Sequence, residues 1–145
     1  MESTNLSEVL TAAQDLSRNA TNLIGGFPLP ELEFDPKIYT KGNFTIAIIT
    51  NCLLVLAAEL GKLDSKNGIA LNTQKHDGFI DLIFSGKDLS KGHIESAEIQ
   101  LKKLIGIELG TLSIRSQGNE LILKFRTIGE SNVSNSEPKL EVTKN

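Results

Sequence analysis

The chain has 145 residues, 39% of them hydrophobic, enough to bury one core and too few for two. Its formal charge of −3 supplies no broad cationic field, which argues against nucleic acid as a partner, because that binding rests on neutralising phosphates. A lone cysteine, Cys52, excludes an internal disulfide, and its flanks Thr50-Asn51-Cys52-Leu53-Leu54 read as the middle of an apolar helix holding a structural thiol.

The opening Met1-Glu2-Ser3-Thr4-Asn5 is polar and acidic and lacks the basic and apolar regions of a secretory signal, so a cytoplasmic chain is expected. Over residues 5–23, Leu6, Val9, Leu10, Ala13, Leu16, Ala20 and Leu23 recur at spacings of three and four, which predicts an amphipathic helix with one buried stripe. Asn5 with Glu8 reads as a capping-box start, and Gly25-Gly26 as the stop. Phe27-Pro28-Leu29-Pro30 cannot continue a helix, and Leu32 and Phe34 alternating with acids predict a short edge strand. Asn43 is the expected cap of a second helix, apolar almost all round from Phe44 to Ala58 and therefore covered on several sides. Thr50, Asn51 and Glu59 interrupt that run, which falls short of the roughly 20 residues needed to span a bilayer, so no membrane association is expected.

Residues 68–73 and 79–84 both read as strands, joined across Lys75-His76-Asp77-Gly78, where the Asp-Gly pair marks a hairpin turn. Residues 85–92 form a loop. From Glu95, the positions Ile99, Leu101, Leu104, Ile105 and Leu109 resume helical spacing, with Gly110 as the stop. Leu112 and Ile114, a turn at 117–120, and Leu121, Leu123 and Phe125 then predict a second hairpin with one buried face. The order predicts an α+β fold: a two-layer sandwich with a mixed, mostly antiparallel sheet and its helices on one face. We divide the chain into an N-terminal amphipathic helix (1–26), a central domain (27–128) and a disordered tail (129–145) whose Ser, Asn, Glu and Lys carry only single apolar residues.

Residues 43–127 resemble the ATP-binding domain of histidine kinases and their GHKL (Bergerat-fold) relatives: a long apolar helix carrying Asn51, a strand hairpin, a loop, a helix and a closing hairpin. The most specific part is Gln100-Leu101-Lys102-Lys103-Leu104-Ile105-Gly106-Ile107-Glu108-Leu109-Gly110-Thr111, an amphipathic helix running through glycine into a strand. Active members carry a second asparagine four residues on, holding the phosphate-bound magnesium; here that position is Val55, and a hard cation needs oxygen ligands. Their Asp-x-Gly-x-Gly motif falls near Phe84-Ser85-Gly86-Lys87-Asp88, with Ser85 for the aspartate, and Gly92 is the single glycine where a glycine-rich lid should lie. The domain is thus similar to a degenerate, nucleotide-free version of that fold.

Ala57-Ala58-Glu59-Leu60 resembles the end of the apolar helix in the C-terminal domain of ChpT-type histidine phosphotransferases. That resemblance implies a phosphorelay protein, or a non-catalytic remnant of one, that binds a response-regulator receiver domain or a hybrid kinase, with a possible homodimer through the N-terminal helix and no ATP-dependent kinase activity. The family presents a phosphoryl-accepting histidine, followed by aspartate, on a helix. His76-Asp77 matches the dipeptide but falls in a predicted turn, which reads as a solvent-exposed residue, and His93 reads as a capping or solvated side chain. Gly86-Lys87 lacks the spacing of a phosphate loop, and Lys102-Lys103 with Lys87 and Lys91 read as solvated lysines. We nominate no catalytic, cofactor-binding or metal-ligating residue and no cofactor. Two readings of other classes stay open: an ATP-dependent anti-sigma-type serine kinase on the same fold, and a structural interaction domain.

Overall fold

The structure, a computed structural model, describes residues 2–40, 44–105 and 113–128. In chain order it holds β1 (Glu2–Asn5), α1 (Leu6–Leu23), β2 (Lys37–Thr40), α2 (Phe44–Lys62), β3 (Ala70–His76), β4 (Phe79–Ser85), α3 (Lys91–Ile105), β5 (Ser113–Gln117) and β6 (Glu120–Arg126). The fold is α+β, and every strand pairing among the described residues is antiparallel, so the sheet is not mixed as the sequence suggested.

The main sheet runs β3-β4-β6-β5. Its register follows from the apolar alternation: Leu121, Leu123 and Phe125 of β6 stand opposite Phe84, Leu82 and Ile80 of β4, which brings all six to one face. The helices cover that face. Leu10 and Ala13 of α1, Ile49, Leu53 and Leu56 of α2, and Ala97 and Leu101 of α3 join the strand residues in a single core. Each fully buried Leu, Ile or Phe in it contributes about 1.5–3 kcal/mol by leaving water.

The helix α2 is long and apolar enough to cross a membrane, 19 residues with mean hydropathy 1.9, but 56% of that window is buried inside the fold. It packs between α1 and α3 and is covered from both sides, as its all-round apolarity requires. Cys52 is fully buried on it, and burial pushes its thiol up, away from the reactive thiolate.

The N-terminal third differs from the sequence reading in three ways. Leu6, Val9, Leu10 and Ala13 of α1 are buried, but Leu16 and Leu23 are exposed at 67% and 71%, and Ala20 is half-buried. The buried line continues instead through Ser17 and Thr21, at spacings of four. Their hydroxyls donate back to the Ala13 and Arg18 carbonyls, which lets polar residues enter the core satisfied. Asn5 occupies the cap position without a side-chain capping bond, so no capping box forms. Asp35, from 28 residues on, does the capping: Oδ1 accepts from the Ser7 amide at 2.8 Å and Oδ2 from the Ser7 hydroxyl at 2.6 Å. Finally, Leu32 and Phe34 lie outside any strand; the strand of this region is β2, which pairs with β1. The Ile38↔Thr127 bridge and the Ile128 amide donating to the Lys37 carbonyl tie this small sheet to the end of β6.

Both expected hairpins form, the first with β3 running on to His76 where the sequence reading put the turn. The first turns at Asp77 and Gly78, where Gly78 takes φ 81°, and the second at Gly118 and Asn119. In α3 the buried residues are Ile94, Ala97, Leu101 and Ile105, while Ile99 and Leu104, assigned to the apolar stripe by spacing, are exposed. The expected cap at Asn43, the stop at Gly110, Leu109, Leu112 and the tail from residue 129 lie outside the described residues.

Candidate functional site

The resemblance directs attention to the seam between α2 and α3. Asn51, Val55 and Glu59 follow one another at spacings of four, so one flank of α2 carries all three. Asn51 spends its side-chain amide on its own helix, donating to the Ala47 carbonyl at 2.9 Å. Val55 is 5% exposed and packs with the core. Glu59, 3% exposed, closes the seam: its Oε2 accepts from Gln100 Nε2 at 2.9 Å, Lys62 Nζ at 3.0 Å and Ser96 Oγ at 3.3 Å. Burial alone would raise the Glu59 pKa, but these donors outweigh it and hold the carboxyl below its usual range.

The segment after β4 is equally committed to structure. Asp88 Oδ2 accepts from Ser65 Oγ at 2.7 Å and Asn67 Nδ2 at 2.8 Å, tying the turn before α3 to the loop after α2. Those two bonds hold its carboxyl below the usual value. A Cβ on Gly86 would meet Leu89 Cδ1 at 2.9 Å and the Gly68 carbonyl at 3.2 Å, so packing accounts for this glycine. Ser85 is half-buried at the end of β4. Gly92 sits in the first turn of α3, where His93 and Ser90 form the cap: the Ser90 amide and hydroxyl donate to His93 Nδ1 at 3.2 and 2.8 Å, and the His93 amide donates to Ser90 Oγ at 3.4 Å. Of the two readings left open for His93, capping or solvated, these bonds give the capping one.

His76 is placed differently from the expectation. It is the last residue of β3, paired with Phe79, not a turn residue. Its Nε2 donates to Asp81 Oδ2 at 3.0 Å, and the Arg115 guanidinium lies 3.8 Å from the same oxygen. Asp81 belongs to β4 between Ile80 and Leu82 and so faces away from the helices, yet its side chain is only 6% exposed. Its Oδ1 is buried with no partner among the described residues. The sequence reading passed over Asp81; the available signal was a carboxylate inside the apolar run Phe79-Ile80-Asp81-Leu82-Ile83-Phe84. An ionised carboxylate can only accept, so the contact is made by the Nε2–H of the half-exposed imidazole. Chemically the trio can orient a histidine or hold a charged partner; it is too few in ligands for a metal, and no group of three His, Cys, Asp or Glu among the described residues is arranged to hold one.

Two clefts flank the irregular segment 27–36. One of about 290 Å³ lies between α1 and Leu29, Leu32 and Asp35, and one of about 470 Å³ lies between residues 30–34 and β3. Neither is lined by Asn51, Val55, Ser85 or Asp88. Compared with protein-family models and with curated proteins, the sequence matches none.

Proposed function

We propose that this chain is a cytoplasmic phosphorelay docking module, akin to the C-terminal domain of ChpT-type histidine phosphotransferases, that binds response-regulator receiver domains or a hybrid kinase without hydrolysing ATP. The observation that carries the reading is the closed α2–α3 seam. By the resemblance, Val55 would take the position of the magnesium ligand of active histidine-kinase-type ATPases, and one turn later Glu59 commits its carboxylate to Lys62, Ser96 and Gln100. A domain of this shape without nucleotide chemistry acts by the surfaces it offers. Leu16 and Leu23 on α1 and Ile99 and Leu104 on α3 remain outside the core and supply apolar anchors for a protein partner, or, on α1, for a second copy.

Titration calorimetry against a panel of receiver domains, and separately against magnesium-ATP, tests the proposal. Binding to a receiver without heat from ATP is the expected pattern, and Ile99→Asp or Leu16→Asp should weaken the receiver complex about tenfold, equivalent to about 1.4 kcal/mol. Micromolar ATP affinity would instead favour a kinase of the anti-sigma type. Transfer of label from a phosphorylated receiver, abolished by His76→Ala and retained by His93→Ala, would replace the non-catalytic reading with a relay that uses the His76–Asp81 pair.

A further inference from the structure

The helices cover one face of the main sheet, and the other face carries the opposite phase of each strand. On β6 that phase includes Lys124 and Arg126, opposite Asp81 and Phe79 of β4. Arg115 of β5 shares it, opposite Ile122. The Ile38↔Thr127 bridge continues the same face onto β2: Ile38 is in the core, so Lys37 and Tyr39 lie on the outer side with Arg126. Lys37, Arg115, Lys124 and Arg126 thus gather on one surface, with Asp81 and Glu120 as the carboxylates of β4 and β6 there, in a chain whose net charge is −3. Lys37 and Arg126 are exposed, and the Arg115 side chain is 40% exposed. Two of these cations rest on rings: Lys124 Nζ lies 5.2 Å from the centre of Phe79, and the Arg126 guanidinium 6.0 Å from that of Tyr39. A ring face holds a cation in place electrostatically and takes up none of its N–H donors as a carboxylate would. Asp81, buried, steadies a third, with Arg115 3.8 Å from its Oδ2.

We propose that this outer face docks an extended acidic segment of a partner protein, one with Asp or Glu at alternate positions. Same-side residues of a strand repeat at roughly 6.5–7 Å, which is the spacing of Lys124 and Arg126 along β6 and also that of alternate residues in an extended peptide. A segment lying along β6 therefore brings successive carboxylates over both cations, and one step further on, beside Ile122, Arg115 from the neighbouring strand meets the next. The two guanidinium groups take carboxylates in bidentate fashion. The face suits carboxylates better than nucleic acid, because Phe79 and Tyr39 are covered by Lys124 and Arg126 and are not free to stack on bases, and Asp81 and Glu120 oppose a dense run of phosphates. The net negative charge of the whole chain steers an acidic segment to this face and away from the rest of the surface. The site is across the sheet from the helices that carry Leu16 and Ile99, and the inference is independent of the phosphorelay reading.

Fluorescence anisotropy with the full chain and a labelled peptide of alternating threonine and glutamate, at about 50 mM salt so that screening is weak, tests the docking. The peptide should bind, and Lys124→Glu/Arg126→Glu should weaken it about tenfold or more. Lys87→Glu/Lys103→Glu makes the same change of net charge away from this face and should leave the affinity within about twofold. On the unsubstituted chain, the peptide should shift the NMR amide signals of Arg115, Lys124 and Arg126 and leave those of α1 and α3 in place. Absence of binding, equal weakening by the two double variants, or shifts confined to the helices would overturn the docking. So would tighter binding of a labelled oligothymidylate of equal charge that the peptide displaces, since the face would then be a phosphate reader.

Discussion

Replacing Glu59 by alanine is expected to destabilise the fold by about 2–3 kcal/mol, through one bond above all. The Gln100 donor at 2.9 Å meets a buried carboxylate, and a hydrogen bond to a charged group contributes about 1.5–3 kcal/mol net. The 3.3 Å Ser96 bond is long and adds little. Lys62, although 3.0 Å away, is 65% exposed, so its ion pair contributes about 0.5 kcal/mol or less. Gln100 keeps one partner after the change, since its Nε2 also donates to Ser96 Oγ at 3.0 Å, which limits the loss. At roughly 4 °C per kcal/mol for a chain of this size, Tm should fall by about 8–12 °C. Urea unfolding followed by circular dichroism measures the free energy directly. A double-mutant cycle between Glu59→Ala and Gln100→Ala should return about 1–2 kcal/mol of coupling, and one with Lys62→Met below about 0.5 kcal/mol. If Lys62→Met alone costs as much as Glu59→Ala, the seam is held by the ion pair and the reasoning fails.

The remaining predictions concern caps, protons and backbone. Asp35→Ala should cost about 1 kcal/mol by uncapping α1, and exchange of the Ser7 amide should quicken with it; an unchanged unfolding midpoint would show that Asp35 does not cap. Glu98 is held below its ordinary value because Lys102 and Ser116 outweigh its burial, as the Ser7 bonds do for Asp35. With Glu59 and Asp88 this makes four carboxylates whose folded pKa is depressed, so their contribution is present above the unfolded values near 4 and is lost as pH falls through the lower folded ones. Urea midpoints should drop between pH 5 and about 3, and a flat profile would contradict these assignments. A Cβ at Gly25, which has φ 107°, would lie 2.6 Å from the Gly68 nitrogen and closer still to the Lys66 carbonyl, so Gly25→Ala should prevent folding or cost more than about 3 kcal/mol. Gly78→Ala, with open space around it, should cost only about 1 kcal/mol by comparing thermal melts. His93→Ala removes the Ser90 acceptor and should cost about 0.5–1 kcal/mol, detectable as fraying of the first turn of α3 by NMR.

Where periodicity was strong and local, the sequence was a sufficient guide. The two hairpins and the surrounded α2 follow from alternation, an Asp-Gly pair and all-round apolarity, each of which dictates its own burial. The N-terminal region was harder because its determinants are distant. Ser17 and Thr21 look like surface residues until their hydroxyls are seen to bond back to the helix, and the cap of α1 comes from Asp35, which no spacing rule connects to Ser7. The strands β1 and β2 are four residues each and pair across α1, so neither carries a pattern long enough to register alone.

The His76–Asp81 contact was illegible for a different reason: it depends on register. The residue opposite His76 is Phe79, and Asp81 is its diagonal neighbour two positions on, within reach of a long side chain but not adjacent in any one-dimensional pattern. The contact exists because the Asp77-Gly78 turn holds two residues. A one-residue slip of β3 would turn His76 to the helix side and bring Lys75 to the face of Asp81, pairing a buried carboxylate with a different partner. The left-handed backbone of Gly78 thus decides which basic side chain answers Asp81, and an insertion beside it should cost the His76 bond while leaving Ile80, Leu82 and Phe84 in the core.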